Sequence, residues 1–133
     1  MTNYDWKKFL DFSSWIIDLS DSTKPDEETI SRVAVSRAYY AAYHTAKAYL
    51  ARIGVSDKTG TGSEHEKVCL AFKTMNKGDA IHKRSCQYIG NVLTTLKDER
   101  NKCDYKHNES MSIKKAKYSC GKASQIIQEI SKL

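Results

Sequence analysis

An all-α fold, a single up-and-down bundle of about five helices over residues 1–133, follows from three observations. The chain has one proline, and four of its six glycines fall between residues 54 and 78. Apolar residues recur at steps of three and four, the period of a helix with one buried stripe. The length allows one compact domain with a real core and is too short for two.

The first helix is expected from Tyr4 to Ser20, with Trp6, Phe9, Leu10, Ser13, Ile16 and Ile17 on one stripe before the polar turn DSTKP. Pro25 suits the first turn of a second helix, and Asp26, Glu27 and Glu28 behind it set anions at the positive end of the helix dipole. That helix runs to Ile53, where Gly54 is a left-handed stop. Ile30, Val33, Tyr40 and Ala48 line one side of it and Val35, Ala38, Ala42, Ala46 and Leu50 another, so it belongs in the middle of the bundle.

The stretch VSDKTGTGS has turn composition and lacks the Gly-Lys-Ser/Thr step of a phosphate loop. Ser63 and Glu66 form a capping box for a third helix through Val68, Leu70, Ala71, Phe72 and Met75, closed by Asn76, Lys77 and Gly78. Asp79 caps a long fourth helix with the stripe Ile81, Ser85, Tyr88, Val92, Leu96, Arg100, Cys103 and His107. From about Ser112 a fifth helix turns Ile113, Ala116, Cys120, Ala123, Ile127 and Ile130 inward as far as Leu133.

Nothing in the chain is apolar for long enough to span a bilayer, and the start MTNYDWKKFLDF lacks the layout of a secretory signal. A cytoplasmic protein with no membrane partner is expected. Cys69, Cys86, Cys103 and Cys120 stand singly, without the paired spacing of a zinc or redox site, and read as buried thiols; neither a metal nor a cofactor is predicted. The net charge of +6 permits polyanionic partners, and the basic residues crowd the last two-fifths of the chain. Lys102 and Lys106 are the candidate RNA contacts there.

Within the run LKDERNKCDYKHNES, Arg100 is followed by the polar Asn101 and, seven residues on, by His107. If the fourth helix continues through this run, that separation is about two turns and about 10 Å, and both side chains leave one face. A guanidinium beside an imidazole can hold a phosphodiester and move a proton. The polar end of an otherwise apolar stripe aims these groups at a partner or a cleft.

Two stretches together, SRAYYAAYHTAKAYL on the second helix and RNKCDYKH at the end of the fourth, resemble the small bacterial and archaeal HEPN domains. The likeness runs from about Ser31 to the C-terminus and includes SEHEKVCLAF. The family's signature is an Arg, a polar residue directly after it and a His a few positions on, matched by Arg100, Asn101 and His107; the inner Asp104-Tyr105 pair is similar to that of small prokaryotic members. The resemblance implies a helical bundle that pairs as a homodimer, its two motifs facing across one composite cleft. It also implies a metal-independent endoribonuclease, often the toxin of a toxin-antitoxin or phage-defence pair, with RNA as substrate and a cognate antitoxin of the nucleotidyltransferase type as partner. Some relatives carry, two residues after the His, a Tyr that the antitoxin modifies. Here that position is Glu109, so the modification does not carry over.

On this reading the ribose 2′-hydroxyl is the nucleophile, and the products are a 2′,3′-cyclic phosphate and a 5′-hydroxyl. A histidine, whose ordinary pKa is about 6.5, takes the 2′ proton or supplies one to the leaving oxygen, the role of His107. Arg100 clamps the phosphate, and Asn101 either orients His107 or binds a phosphate oxygen. Arg37, which shares a face with Tyr40 and His44, could brace Asp104 from behind, and Tyr105 and Asp104 support the motif. Tyr39, Tyr40, Tyr43 and Tyr49 read as packing, His44 as a boundary histidine, and His65 and His82 as surface residues. The alternative is a non-catalytic HEPN adaptor that binds a nucleotide or a partner nucleotidyltransferase.

Overall fold

The computed structural model describes residues 4–18, 26–55 and 62–133. Five helices, α1 (Lys7–Asp18), α2 (Glu27–Arg52), α3 (Glu64–Lys73), α4 (Ala80–Tyr105) and α5 (Ile113–Ser131), make an all-helical bundle with no strand among the described residues. None of the helices is long and apolar enough to cross a membrane. The predicted roles of Ser20, of Pro25 and of most of VSDKTGTGS fall outside the described residues.

Local chemistry fixes the helix starts. Asp26, Ser63, Asp79 and Ser112 each sit in extended backbone and accept an N–H three residues on, at 2.8 to 3.2 Å. At the end of α2, Gly54 turns left-handed at φ +72°, so Val55 N–H reaches Leu50 O at 2.9 Å and Gly54 N–H reaches Ala51 O at 3.2 Å. These two bonds satisfy carbonyls the helix leaves open.

Helix α2 lies in the middle, packed against α5 and α1 and also touching α4 and α3. Its small side chains Ala34, Ala38, Ala41, Ala42 and Ala46 are fully buried and let neighbouring backbones approach, while Tyr39, Tyr43, Tyr49 and Leu50 fill the space between. All four cysteines are buried free thiols, and burial pushes Cys103 up to about 12 and Cys120 up to about 11.

The buried face of α4 matches the predicted one at Leu96, Arg100 and Cys103 and differs from it over the first half of the helix. Cys86, Ile89, Gly90, Leu93, Leu96, Arg100 and Cys103 point inward, whereas Ile81 is 71% and Tyr88 40% exposed. Both stripes obey the helical period, and what selects the inner one is Gly90, whose missing side chain lets α3 close on it. A Cβ there would stand 2.9 Å from Lys73 N and 3.0 Å from Cys69 O. The helix also stops at Tyr105, with Lys106 extended at ψ 97°. His107 therefore stands beyond the helix and does not share a helical face with Arg100.

Candidate functional site

The early end of α4 has a specific cause. Arg32, one turn after Glu28 on α2, turns its guanidinium on the last carbonyls of α4. Its Nη1 donates to Lys102 O and Cys103 O at 3.0 Å and to Lys106 O at 3.3 Å, and its Nη2 donates to Glu109 O. A cation at a helix C-terminus meets both the open carbonyls and the negative end of the dipole. Glu28 holds Arg32 through Nε at 3.0 Å and accepts the Met111 N–H at 3.2 Å. The Glu28–Arg32 pair thus grips the 106–111 loop, which carries His107, at both ends.

Arg100 is only 6% exposed. Its guanidinium carbon lies 5.2, 5.4 and 5.8 Å from the ring centres of Tyr39, Tyr40 and Tyr105, so three aromatic faces share its charge. Its polar contacts are loose: Nη1 is 3.5 Å from Tyr105 Oη and 3.7 Å from Asp104 Oδ2, and its Nε–H has no partner among the described residues. A buried arginine is normally fully paired.

Asp104 takes its firmer hydrogen bond from Ser36 Oγ at 3.3 Å. Arg37 instead lies over Phe9 and Tyr40, 5.2 and 5.4 Å from their ring centres, and does not bond to Asp104. The apolar surface of α1 draws this guanidinium away from the position predicted for it. Tyr105, at 72% exposure, and His107 are open to solvent.

Two shallow hollows of about 410 and 370 Å³ meet at Arg32, Asp104 and Tyr105. Arg37 and Ser36 line the first, Glu28, Lys106 and His107 the second. The structure thus gathers Arg37, Asp104, Tyr105, Lys106 and His107 on one open surface, with Arg100 behind it against Tyr105 and Asp104. Lys102 lies elsewhere, between α4 and α5. Asn101 is half-buried, and no hydrogen bond or ion pair joins it or Arg100 to His107 among the described residues.

His65 on α3, predicted at the surface, is half-buried and lies within electrostatic reach of Arg100. Its Nδ1 is 2.6 Å from Tyr39 Oη, and its ring centre is 4.2 Å from that of Tyr43. Burial, then the charge of Arg100, holds its pKa below the ordinary histidine value, and burial raises that of Tyr39, leaving both uncharged at neutral pH. His82 is half-buried and held at both nitrogens: Nδ1–H donates to Lys77 O and Nε2 accepts from Tyr49 Oη, both at 2.8 Å. His44 stacks on Trp6 at 3.8 Å between centres. The Glu28/Arg32 spacing of four on one helix was the available signal for the clamp; nothing local marked the partners of His65 or His82.

No cluster of three or more His, Cys, Asp or Glu side chains among the described residues is arranged to hold a metal. No family model, curated protein or solved structure matches the chain.

Proposed function

We propose that this protein is a metal-independent endoribonuclease of the HEPN type, acting as a homodimer and serving as the toxin of a toxin-antitoxin or phage-defence pair. The observation that carries the reading is the under-paired Arg100 guanidinium, which lies behind the hollow that Tyr105, Arg32 and His107 open to solvent. A phosphodiester in that hollow meets the charges of Arg32, Arg37 and Lys106 along its lining, the Arg100 charge behind it, and the exposed His107 imidazole.

The RNA 2′-oxygen attacks phosphorus, the bond to the 5′-oxygen breaks, and a 2′,3′-cyclic phosphate forms. His107 takes the 2′ proton or delivers one to the leaving oxygen, and water exchanges the other proton, while the arginines offset charge that grows on the phosphoryl oxygens. The open shape of the hollow on one chain supports a homodimer, because a second copy would enclose the substrate and exclude water. A cytoplasmic setting fits both an RNA substrate and the four reduced thiols.

The test is induced expression beside His107→Ala, with RNA ends mapped and purified protein assayed in excess chelator. Growth arrest and new cyclic-phosphate ends that disappear in the variant at equal protein level are expected. An abundant, folded wild type that leaves growth and RNA unchanged refutes the nuclease. The second reading, a non-catalytic adaptor for a nucleotide or a nucleotidyltransferase, draws support from the aromatic cage, since a guanidinium held by three rings also serves as a structural cation. In that case His107→Ala changes nothing, and Arg100→Met alters stability alone.

A further inference from the structure

A hollow wider than either of those beside His107 lies elsewhere on the described surface. Between α4 and α5 a groove of about 790 Å³ has Val92, Leu96 and Met111 for an apolar floor. Its rim carries Lys102 from α4 and Lys114, Lys115 and Lys122 from α5, against one carboxylate, Glu99, which is spent on Lys102 at 3.3 Å. No carboxylate among the described residues pairs with Lys114, Lys115 or Lys122. Tyr118 stands on the same wall, 66% exposed, with Lys122 Nζ 5.7 Å from its ring centre.

We propose that this groove binds single-stranded RNA, with bases against Tyr118 and the apolar floor and phosphates on Lys114, Lys115 and Lys122. The inference rests on the ribonuclease reading and gives its substrate a strandedness and a path. Lys114, Tyr118 and Lys122 follow one another at four-residue steps, so they form a row about 12 Å long on one face of α5. An exposed aromatic ring set among unneutralised lysines is the arrangement that stacks unpaired bases while tracking a backbone. A duplex keeps its base faces stacked on one another and cannot fill a concave apolar floor. The groove and the proposed site share no lining residue but are joined through the chain: Ser110 and Met111 line the groove and follow directly on the loop that carries His107, and the Lys102 carbonyl is held by Arg32.

The test uses the whole chain carrying His107→Ala, so that RNA stays intact, and a fluorescein-labelled oligouridine of about 12 nucleotides read by anisotropy. Adding Tyr118→Ala is expected to weaken binding about fivefold or more. Adding Lys114→Gln with Lys122→Gln is expected to weaken it about tenfold and to flatten the slope of log affinity against log salt by about 1.4. A hairpin duplex should bind more weakly than the single strand. His107, Lys114 and Tyr118 are exposed and Lys122 is half-buried, and unchanged circular dichroism and melting confirm that the variants fold.

Oligouridine that binds the variants as well as their parent, or fails to bind the parent, overturns the groove. Cleavage by the wild-type chain is read separately: cleavage with unaltered variant binding removes the groove and keeps the nuclease. Groove-dependent binding without cleavage does the reverse. A wild-type dimer that the Tyr118 or lysine changes turn into monomer makes the groove a subunit interface and overturns RNA binding there.

Discussion

Replacing Arg32 by Met should loosen the His107 loop and cost a large share of the stability. Nη1 has two protons for three carbonyls and Nη2 adds a bond to Glu109 O, so no more than three bonds act at full strength. Bonds from a charged donor are worth about 1.5–3 kcal/mol, but the side chain is 20% exposed and water screens it, which brings each to about 1 kcal/mol. The sum, about 2–3 kcal/mol, is a large fraction of the roughly 5–15 kcal/mol of a typical domain. In urea the midpoint should fall by about 1–2 M. Amide exchange should rise across 106–111, since Met111 N–H relies on a Glu28 that Arg32 orients. Arg32→Lys keeps the charge without the fork and should recover less than half. A midpoint within about 0.2 M of wild type, with loop exchange unchanged, would refute the clamp.

Two further outcomes follow from packing and from titration. Gly90→Ala should destabilise by about 1–2 kcal/mol, the crowding against Lys73 N and Cys69 O outweighing a helix-propensity gain of about 0.5–1 kcal/mol. Gly121→Ala, with nothing within 4 Å, should show that gain alone; equal denaturation midpoints for the two variants contradict the account. Acidification should lower the melting temperature from about pH 6.5 downward, because burial holds His65 and His44 below their ordinary pKa. The unfolded chain then takes up protons before the folded one does, and the stability present above that pH is lost as pH falls through the folded values. Melts at pH 7, 6 and 5 check this, and His65→Gln with His44→Gln should flatten the dependence; an unaltered slope in that double variant counts against it.

The features legible in the sequence were those whose cause lies within a few residues. Ser63 and Asp79 announce helix starts because the group they cap is three positions away, and Gly54 announces a stop because only its own backbone must turn. The end of α4 gave no such signal, for the cation that ends it is Arg32, 70 residues from Lys102. Over the first half of α4 periodicity admitted two stripes one position apart, and Gly90 decided between them only through α3. Tyr39 and Tyr49, partners of His65 and His82, are 26 and 33 residues distant. Of the candidate site, the motif region was legible and its geometry was not: Arg100 went inside and His107 outside.

The pairing of the central helix with the last one also orders the folding process. Helices α3 and α4 are neighbours in sequence and can meet after closing a short turn, whereas α2 and α5 are separated by roughly 60 residues and meet only after a larger loss of chain entropy. The Glu28 bond to Met111 spans 83 residues and the Cys120 contact with Ala34 spans 86, so the clamp on the His107 loop belongs to the late, non-local class of contacts. A partly folded chain can hold an α3–α4 hairpin and still lack a positioned His107. Whatever chemistry that surface performs is thereby withheld until the long-range closure is complete, and is among the first things lost when it opens.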